Sequence, residues 1–466
     1  MQKCWALIPF ILLAPFLANA QQSFGLKFDD DQYTHTKGKA TLMRGDFFPL
    51  PPSASLKEYC PKPLSQRMEN TSTGWASAYG ARTILEAKRR GITDKIKIRE
   101  ISFSPVFNYA MAKGDNKLDC SESMRLPDVL ESMKIHGIPF YKDFRKSCPH
   151  VFPQSVLYKA TENRINDFYR IFDLDDDPKI KIEKVKRSLS KETPVVIGMY
   201  ATKSFELLKD VFWVPRETVD PESQPGHSVV VIGYDDSKYG AGAFEIMNSW
   251  GTGWANGGFA WIRYSDFTDF VKYGFEMFIF PFSNPDAIDL AGEIEVELKN
   301  KIKMEFTLTD ESSGYYISKR SYTDDDSFQL LVSSRESAFV YVIGSDDNED
   351  IFMLFPDPEI GTSAALPYKN SHVKLPSEFG TWELDGVPGN GYLAIIFSKE
   401  ELWPDMIEKQ LTAIKGKSFS EKLKTVFANQ MIKDENITYS SEGVIFEGKT
   451  KGRVLTAMVL EIKHSE

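Results

Sequence analysis

Apolar residues recur at helical spacing in three stretches of the first 200 residues. From Gly74 to Arg90 they fall on one face, and Gly91 follows as a stop signal. The same spacing runs from Leu126 to Ile135, with Gly137 just beyond, and again from Ile180 to Leu189. The pattern therefore predicts a helix over each of these stretches.

Later segments have the pattern of strands. Pro194–Tyr200 is a short apolar run typical of a buried strand, and four further apolar segments follow, with a Gly-rich turn at Asp235–Gly242 after the first of them. These segments are His227–Tyr234, Ala243–Trp250, Phe259–Tyr264 and Phe275–Phe282. Helices first and antiparallel strands afterwards predict an α+β fold with a site between the helical half and the β half.

Beyond residue 284 the chain alternates apolar and polar positions between prolines, which predicts a β-rich region. Its predicted strands are Ile302–Leu308, Ser337–Ile343, Ile351–Phe355, Tyr392–Phe397, Gly443–Phe446 and Val454–Glu461. A helical stretch near 399–431 interrupts them. With 466 residues to divide, we predict an N-terminal extension (21–50), an α+β domain (51–284) and a β-rich C-terminal domain (285–466).

The first 20 residues have the features of a secretory signal peptide. Met1–Lys3 is short and positive, Ala6–Leu17 is apolar, and Ala18–Ala20 has small residues at both ends. The apolar run is too short to span a bilayer, and a buried N-terminal helix is the alternative. Export to the periplasm or the exterior is therefore expected; the sequence does not separate the two.

The net charge and the spacing of acidic residues limit the classes of partner and ligand that we expect. The chain carries 56 Lys and Arg against 66 Asp and Glu, for a net charge of −10, which disfavours nucleic acid and anionic membranes as the main partner. Acidic clusters at 173–177, 324–326 and 346–350 lack the ligand spacing of a calcium loop. We expect neither a metal nor a cofactor.

Three cysteines remain if residues 1–20, with Cys4, are removed. An exported protein with this odd number is expected to form one disulfide and keep one free thiol. Spacing does not choose the pair among Cys60, Cys120 and Cys148, although Cys120–Cys148 is favoured. Cys60 and Cys148 lie in turn-rich segments, so neither is placed like an activated thiolate.

Two motifs carry the candidate chemistry. Gly226–Asp235 brings His227 to the start of one strand, and Asn248–Phe259 brings Asn248 to the end of the next. These side chains can meet across an antiparallel pair, where the amide would orient the imidazole and the indole of Trp250 would shield their hydrogen bond.

The two motifs resemble the His and Asn segments of papain-like cysteine peptidases, particularly a bacterial branch with a Gly-rich turn between the strands. The resemblance covers about Tyr59 to Phe282. It implies a nucleophile at the start of the central helix, a few residues after an oxyanion-hole Gln. Such members read Gln-Gly-x-x-Gly-Thr-Cys-x-Gly-Trp-Ala. On this register Gln66 is the oxyanion-hole residue, Ser72 takes the Cys position, and Gly74 and Trp75 follow as in the family.

A rival register places Gly74 at the nucleophile position, directly before Trp75, but it leaves Gln66 two residues too far away. The sequence departs from the family at Arg67 and Asn70, which replace two glycines. It also has Ser121–Ser123 where Gly-Gly would follow the Cys120 position. These changes predict a reshaped cleft.

A serine hydroxyl cannot form the thiolate–imidazolium pair on which a cysteine peptidase depends. Serine hydrolases support their His with a carboxylate, and replacing it by Asn costs about 10⁴-fold in kcat. The resemblance therefore implies an exported peptidase homologue that binds peptide or protein but cleaves it slowly or not at all. The alternatives are a hydrolase using Ser72, His227, Asn248 and Gln66, and a non-catalytic structural or surface-interaction protein. The C-terminal part resembles an uncharacterised β module found beside bacterial papain-like domains, on the segments 338–343, 353–356 and 391–399.

Overall fold

The computed structural model describes most of the chain after the predicted signal peptide. The described residues are 22–40, 49–114, 119–145, 148, 151–282, 284, 286–310, 312–323, 325–357, 361–377, 380–383 and 389–465. Residues 1–20, Asp324 in one acidic cluster and Pro285 at the predicted boundary lie outside these ranges. Among the described residues, no helix has the length and apolarity needed to cross a membrane.

Helices gather in the first half of the chain and strands in the second. The helices α1 to α12 are Asp30–His35, Ser72–Gly74, Thr83–Arg89, Lys95–Glu100, Pro105–Lys113, Leu126–Ile135, Gln154–Thr161, Pro178–Ser190, Lys203–Glu206, Tyr264–Phe270, Pro404–Ala413 and Phe419–Val426. A π-helical stretch, Trp75–Arg82, joins α2 to α3 into one helical run.

The strands form one sheet before residue 280 and two after it. The strands β1 to β8 are Ser53–Ser55, Asp167–Arg170, Val195–Tyr200, Phe212–Trp213, Gly226–Asp235, Ala243–Met247, Phe259–Arg263 and Val271–Phe278. The strands β9 to β22 are Leu290–Leu298, Lys303–Met304, Phe306–Asp310, Tyr315–Ser318, Ser327–Ser334, Ala338–Asp346, Ile351–Phe355, Ala365–Leu366, Ser371–Leu375, Trp382–Glu383, Gly389–Ser398, Ile437–Tyr439, Val444–Gly448 and Leu455–His464.

The first sheet has the order β2-β8-β3-β5-β6-β7-β4, with β1 beside β5. Its pairs are antiparallel except for β4 alongside β7. The central helical run packs against β5, where an added Cβ on Gly80 would come within 2.5 Å of the Val230 side chain. This α+β arrangement confirms the predicted fold class, with helices on one side of the site and antiparallel strands on the other.

The C-terminal sheets have the orders β17-β13-β9-β21-β20 and β11-β12-β22-β19-β14-β15. Their facing side chains form one apolar core, in which the rings of Phe397 and Phe446 lie 4.9 Å apart. This second half is β-rich, as the fold class predicted. The helices α11 and α12 lie within the helical stretch expected near 399–431.

Residues 22–40, which follow the predicted signal peptide, show no periodicity, yet the structure gives them defined positions. Helix α1 forms there, capped by Asp29, whose side chain accepts a hydrogen bond from the backbone N–H of Gln32. Tyr33 is buried and stacks on Tyr273 at 4.4 Å between ring centroids. One apolar core also continues across the interface between the two halves, with Phe278 against Phe339. The N-terminal stretch is thus part of the packed structure.

Candidate active site and the segment that fills it

Ser72 begins the central helical run and is fully buried. Its Oγ accepts a hydrogen bond from the backbone N–H of Ser228, at 3.3 Å. Gly74, the rival position, faces the opposite way, because a Cβ there would lie 2.4 Å from the Pro105 carbonyl oxygen in α5. Of the two candidate positions, only residue 72 therefore lies beside the strand that carries His227.

His227 is the second residue of β5 and Asn248 directly follows β6, so the predicted pair meets across neighbouring strands. The Nε2 of His227 lies 2.8 Å from the Oδ1 of Asn248. The same Oδ1 accepts a hydrogen bond from the backbone N–H of Ser249 at 2.7 Å. An oxygen that accepts both bonds requires Nε2 to carry the proton, which leaves Nδ1 as the basic nitrogen of the neutral ring.

Aromatic rings enclose the imidazole of His227. Trp250 stacks on it with centroids 4.4 Å apart and an interplanar angle of 25°, while Phe24 and Phe205 present their edges. Burial lowers the pKa of His227 to about 4, although the hydrogen bond with Asn248 opposes the shift. The ring is therefore neutral at pH 7.

Ser72 and His227 are not connected by a hydrogen bond. Among the described residues, the Nδ1 of His227 has no hydrogen-bond partner. The Ser72 oxygen is instead bonded to the amide one residue further along β5. The structure brings these side chains into one site without forming the contact through which His227 would take the Ser72 proton.

Gln66 lies at the same site, held by a hydrogen bond from the Oγ of Ser249 to its Oε1 at 2.6 Å. Its Nε2 donates to the carbonyl oxygen of Phe24 at 2.7 Å. The backbone N–H of Ser72 donates to the same oxygen at 3.3 Å. The Gln66 amide, which the family resemblance assigns to an oxyanion hole, and the Ser72 N–H thus converge on one carbonyl, and that carbonyl belongs to the chain itself.

Residues 22–28, which we call the cleft segment, run through the site in extended conformation. The backbone N–H of Leu26 donates to the Gly226 carbonyl at 3.1 Å, and that of Lys27 donates to the Met124 carbonyl at 2.9 Å. Met124 in turn donates its N–H to the Gly25 carbonyl at 2.9 Å. The indole Nε1 of Trp250 donates to the Ser23 carbonyl at 2.9 Å. The backbone bonds resemble those of a bound peptide strand.

Side chains of the cleft segment fit the site closely. A Cβ on Gly25 would lie 2.4 Å from the backbone carbon of Asn70 and 2.8 Å from the backbone nitrogen of Ser72. Gly25 also has a φ of 137°, so this position requires glycine on two grounds. The Leu26 side chain fills the space beside Gly198, where a Cβ would come within 2.7 Å of it.

Two departures from the family pattern shape the cleft. Arg67 keeps a positive φ of 57°, a conformation that glycine adopts without strain. Asn70 binds the neighbouring loop, with its N–H on the Cys120 carbonyl at 2.8 Å and its Nδ2 on the Ser121 carbonyl at 2.6 Å. Asn70 therefore joins the loop before Ser72 to the loop around Cys120.

The cysteines take no part in this site. Cys120 and Cys148 form a disulfide with a Cα separation of 5.7 Å, which confirms the favoured pairing. Cys60 is free and buried, and burial raises the pKa of its thiol to about 12. At neutral pH it is a protonated core thiol.

Some functional residues had no signal in the sequence. The cleft segment and Met124 act through backbone groups, which every residue type possesses. Ser228 also acts through its backbone N–H. Ser249 was the exception, since it adjoins Asn248, and its hydroxyl positions the Gln66 amide.

Comparison with known proteins supports the resemblance over part of the chain. The family model described as papain family cysteine protease matches residues 131–274. This span contains His227, Asn248 and Trp250 but begins after Gln66 and Ser72. A comparison with curated proteins finds no match.

Solved structures include similar chains at low identity. Xylellain, a cysteine protease from Xylella fastidiosa, is 18% identical, with 55% of this chain and 96% of that chain covered and a TM-score of 0.43. Procathepsin L 3 of the Tenebrio molitor larval midgut is 16% identical, with 52% and 76% covered and a TM-score of 0.42. Both likenesses are weak.

Proposed function

We propose that this chain is an exported homologue of papain-like peptidases whose cleft binds an extended peptide but hydrolyses it slowly or not at all. The observation that carries the proposal is the Phe24 carbonyl. It is held by the Gln66 amide and the Ser72 N–H, while the Ser72 hydroxyl makes no hydrogen bond to His227. The site retains the groups that bind a peptide carbonyl, but the proton-transfer contact is not formed.

The chemistry of the site supports weak or absent turnover. A serine hydroxyl must lose its proton to His227 during attack, and a base with a pKa of about 4 accepts that proton poorly at neutral pH. The imidazolium would then be stabilised by the neutral Asn248 amide instead of a carboxylate. Both features disfavour hydrolysis through Ser72. They therefore argue against the alternative in which the protein is an active serine hydrolase.

Export is supported by the features of residues 1–20 and by the disulfide between Cys120 and Cys148, a bond that persists in oxidising compartments. Peptide or protein is the proposed partner because the cleft offers backbone donors and acceptors at Gly226 and Met124 to an extended chain.

The test compares the protein beginning at residue 21 with its Ser72→Cys variant in hydrolysis of a mixed, internally quenched peptide library. Because the cleft segment fills the site, each is assayed with and without Gly25→Val, which we expect to expel that segment because an added Cβ meets the backbone of Asn70. Ser77→Cys is the matched control, since it adds a thiol to the same helical run. We expect turnover only in Ser72→Cys with Gly25→Val, and its loss on adding His227→Ala.

Two outcomes would contradict the proposal. Turnover by the natural sequence that disappears in His227→Ala would establish a working hydrolase. A Ser72→Cys, Gly25→Val protein that neither cleaves nor binds any library peptide would favour the third function, a structural or surface-interaction protein with an unused cleft.

A further inference from the structure

The stretch after the cleft segment lies between the two halves of the molecule. Residues 37–39, which we call the junction, form backbone bridges on both sides, with Gly38 opposite Arg170 in β2 and opposite Thr362 in the C-terminal domain. The Gly38 N–H donates to the Gly361 carbonyl, and the Ser363 N–H donates to the Gly38 carbonyl, both at 2.8 Å. The junction is therefore an extended strand held by both domains.

An ion-pair chain crosses the same interface. Glu401 of the C-terminal domain contacts Lys37 of the junction at 2.7 Å and Lys134 of α6 at 2.5 Å. Lys134 also pairs with Asp167 of β2 at 2.9 Å. The Oγ of Ser363 donates to the other carboxylate oxygen of Asp167 at 2.8 Å. Breaking the domain interface would separate the largely buried Glu401 carboxylate from both lysines and would remove Ser363 from Asp167, while Lys134 would keep Asp167. Leaving the Glu401 charge without its partners is costly.

A second polar cluster holds Lys39. Its Nζ lies 2.5 Å from the carboxylate of Glu276 in β8 and 2.6 Å from the hydroxyl of Tyr368 in the C-terminal domain. The Tyr368 hydroxyl also donates to Glu276. Glu276 is fully buried, and Lys39 and Tyr368 supply most of the compensation for its carboxylate, beside a hydrogen bond from the Oγ of Ser188 at 2.8 Å. This cluster requires the junction and both domains at once.

Helix α1 joins the junction to the cleft segment and is held to the N-terminal domain by its own contacts. Asp30 pairs with Lys272 at 2.7 Å, and the Tyr33 hydroxyl donates to the Phe172 carbonyl at 2.7 Å. On the cleft side, Asp29 pairs with Arg125 at 3.1 Å. Only residues 29–36 separate the junction from residues 22–28, so the contacts of both segments hold one continuous stretch of chain.

From this arrangement we propose that the C-terminal domain is a clasp for the cleft: by gripping residues 37–39 through Ser363, Tyr368 and Glu401, it keeps residues 22–28 in the peptide site. Loosening the grip frees the cleft segment and opens the site to a peptide in trans. The inference relies on the proposed function only in treating the site as one that binds peptide.

The test changes the clasp and leaves residues 22–40 untouched. In the full chain from residue 21, the variant is Glu401→Gln with Tyr368→Phe. The matched control is Glu447→Gln with Tyr439→Phe, the same residue types in the same domain. Glu447 pairs with Arg335 and the Tyr439 hydroxyl contacts Thr456, both away from the junction. Gly25→Val serves as the positive control for release of the cleft segment.

The first readout is hydrogen exchange of the Leu26 and Lys27 amides, which the cleft protects. We expect exchange about tenfold faster in the clasp variant and unchanged in the matched control, because the two substitutions together weaken local closure by roughly that factor. Unchanged exchange in a clasp variant that retains its fold, with rapid exchange in Gly25→Val, would overturn the clasp. If the double variant fails to fold, Ser363→Ala is measured by the same criterion.

The second readout is binding of a fluorescent peptide with the sequence of residues 22–28, compared with the same peptide carrying Val for Gly25. We expect the clasp variant to bind the peptide that has Gly25 and not the peptide that has Val in its place. The matched control should bind neither peptide. Fast exchange without peptide binding would uphold the clasp and contradict the proposed peptide-binding function. Slow exchange in the clasp variant, together with peptide binding by Gly25→Val, would overturn the clasp and uphold the proposed peptide-binding function.

Discussion

The oxygen of Ser72 accepts a hydrogen bond from the backbone N–H of Ser228, one residue beyond His227 in the same strand. That contact uses the hydroxyl as an acceptor and leaves the Nδ1 of His227 unbonded among the described residues. The residue at the start of the helix is thus engaged in holding the helix to the sheet, which suggests a structural use for the side chain that the family would use as a nucleophile.

Ser72→Ala is therefore expected to act on stability more than on any reaction. The substitution removes an acceptor from a buried amide, which costs about 1 kcal/mol of the free energy of unfolding. Urea denaturation of wild type and variant measures the difference. A peptidase activity in the wild-type protein that this substitution abolishes would contradict the interpretation.

The free energy of unfolding should rise with pH through the range in which His227 titrates. Its pKa is about 4 in the folded protein, against 6.5 for the free side chain. Between these values the unfolded chain binds the proton and the folded one does not. The contribution of His227 to the free energy of unfolding is therefore complete above pH 6.5 and is lost as the pH drops toward 4. A shift of this size corresponds to about 3 kcal/mol.

Urea denaturation at several pH values, compared with His227→Gln, isolates this contribution, because glutamine cannot titrate. The pH dependence of the variant should be shallower between pH 4 and 6.5. Parallel profiles would mean that the imidazole of His227 is solvated in the folded protein and is not an enclosed, neutral ring.

Gly25→Val should destabilise the cleft segment strongly. Its Cβ would lie 2.4 Å from backbone atoms of Asn70, which cannot move as a side chain can, and overpacking of this kind costs roughly 1–3 kcal/mol. Gly416→Val is the matched control, since Gly416 also has a positive φ but nothing within 4 Å of an added Cβ. Urea denaturation should show a larger loss in the free energy of unfolding for Gly25→Val than for Gly416→Val, and the difference is the cost of the clash. Equal losses would mean that only the strain of a positive φ affects stability.

Cys60 should react with iodoacetamide only when the protein unfolds. Its thiol is buried and its pKa is raised to about 12, so the reactive thiolate is scarce at neutral pH. Mass spectrometry of protein lacking residues 1–20 follows the rate as urea increases. Rapid labelling in the native protein would show that this thiol is accessible.

The sequence alone determined the elements that depend on local pattern. Apolar spacing predicted helices over 74–90, 126–135 and 180–189, and the structure has them at 72–89, 126–135 and 178–190. The strand pattern placed His227 and Asn248 on neighbouring strands, where they meet at 2.8 Å. These predictions succeeded because side-chain periodicity and paired polar residues leave a mark in the sequence itself.

The tertiary structure alone decided what fills the site. Residues 22–40 have no periodicity, because the cleft segment bonds through its backbone and the junction is fixed by partners more than 130 residues away, such as Arg170 and Glu401. Backbone hydrogen bonds and long-range ion pairs carry no local signature. The direction of the Ser72 hydroxyl was likewise decided by packing, since it depends on which amide of β5 lies opposite the start of the helix.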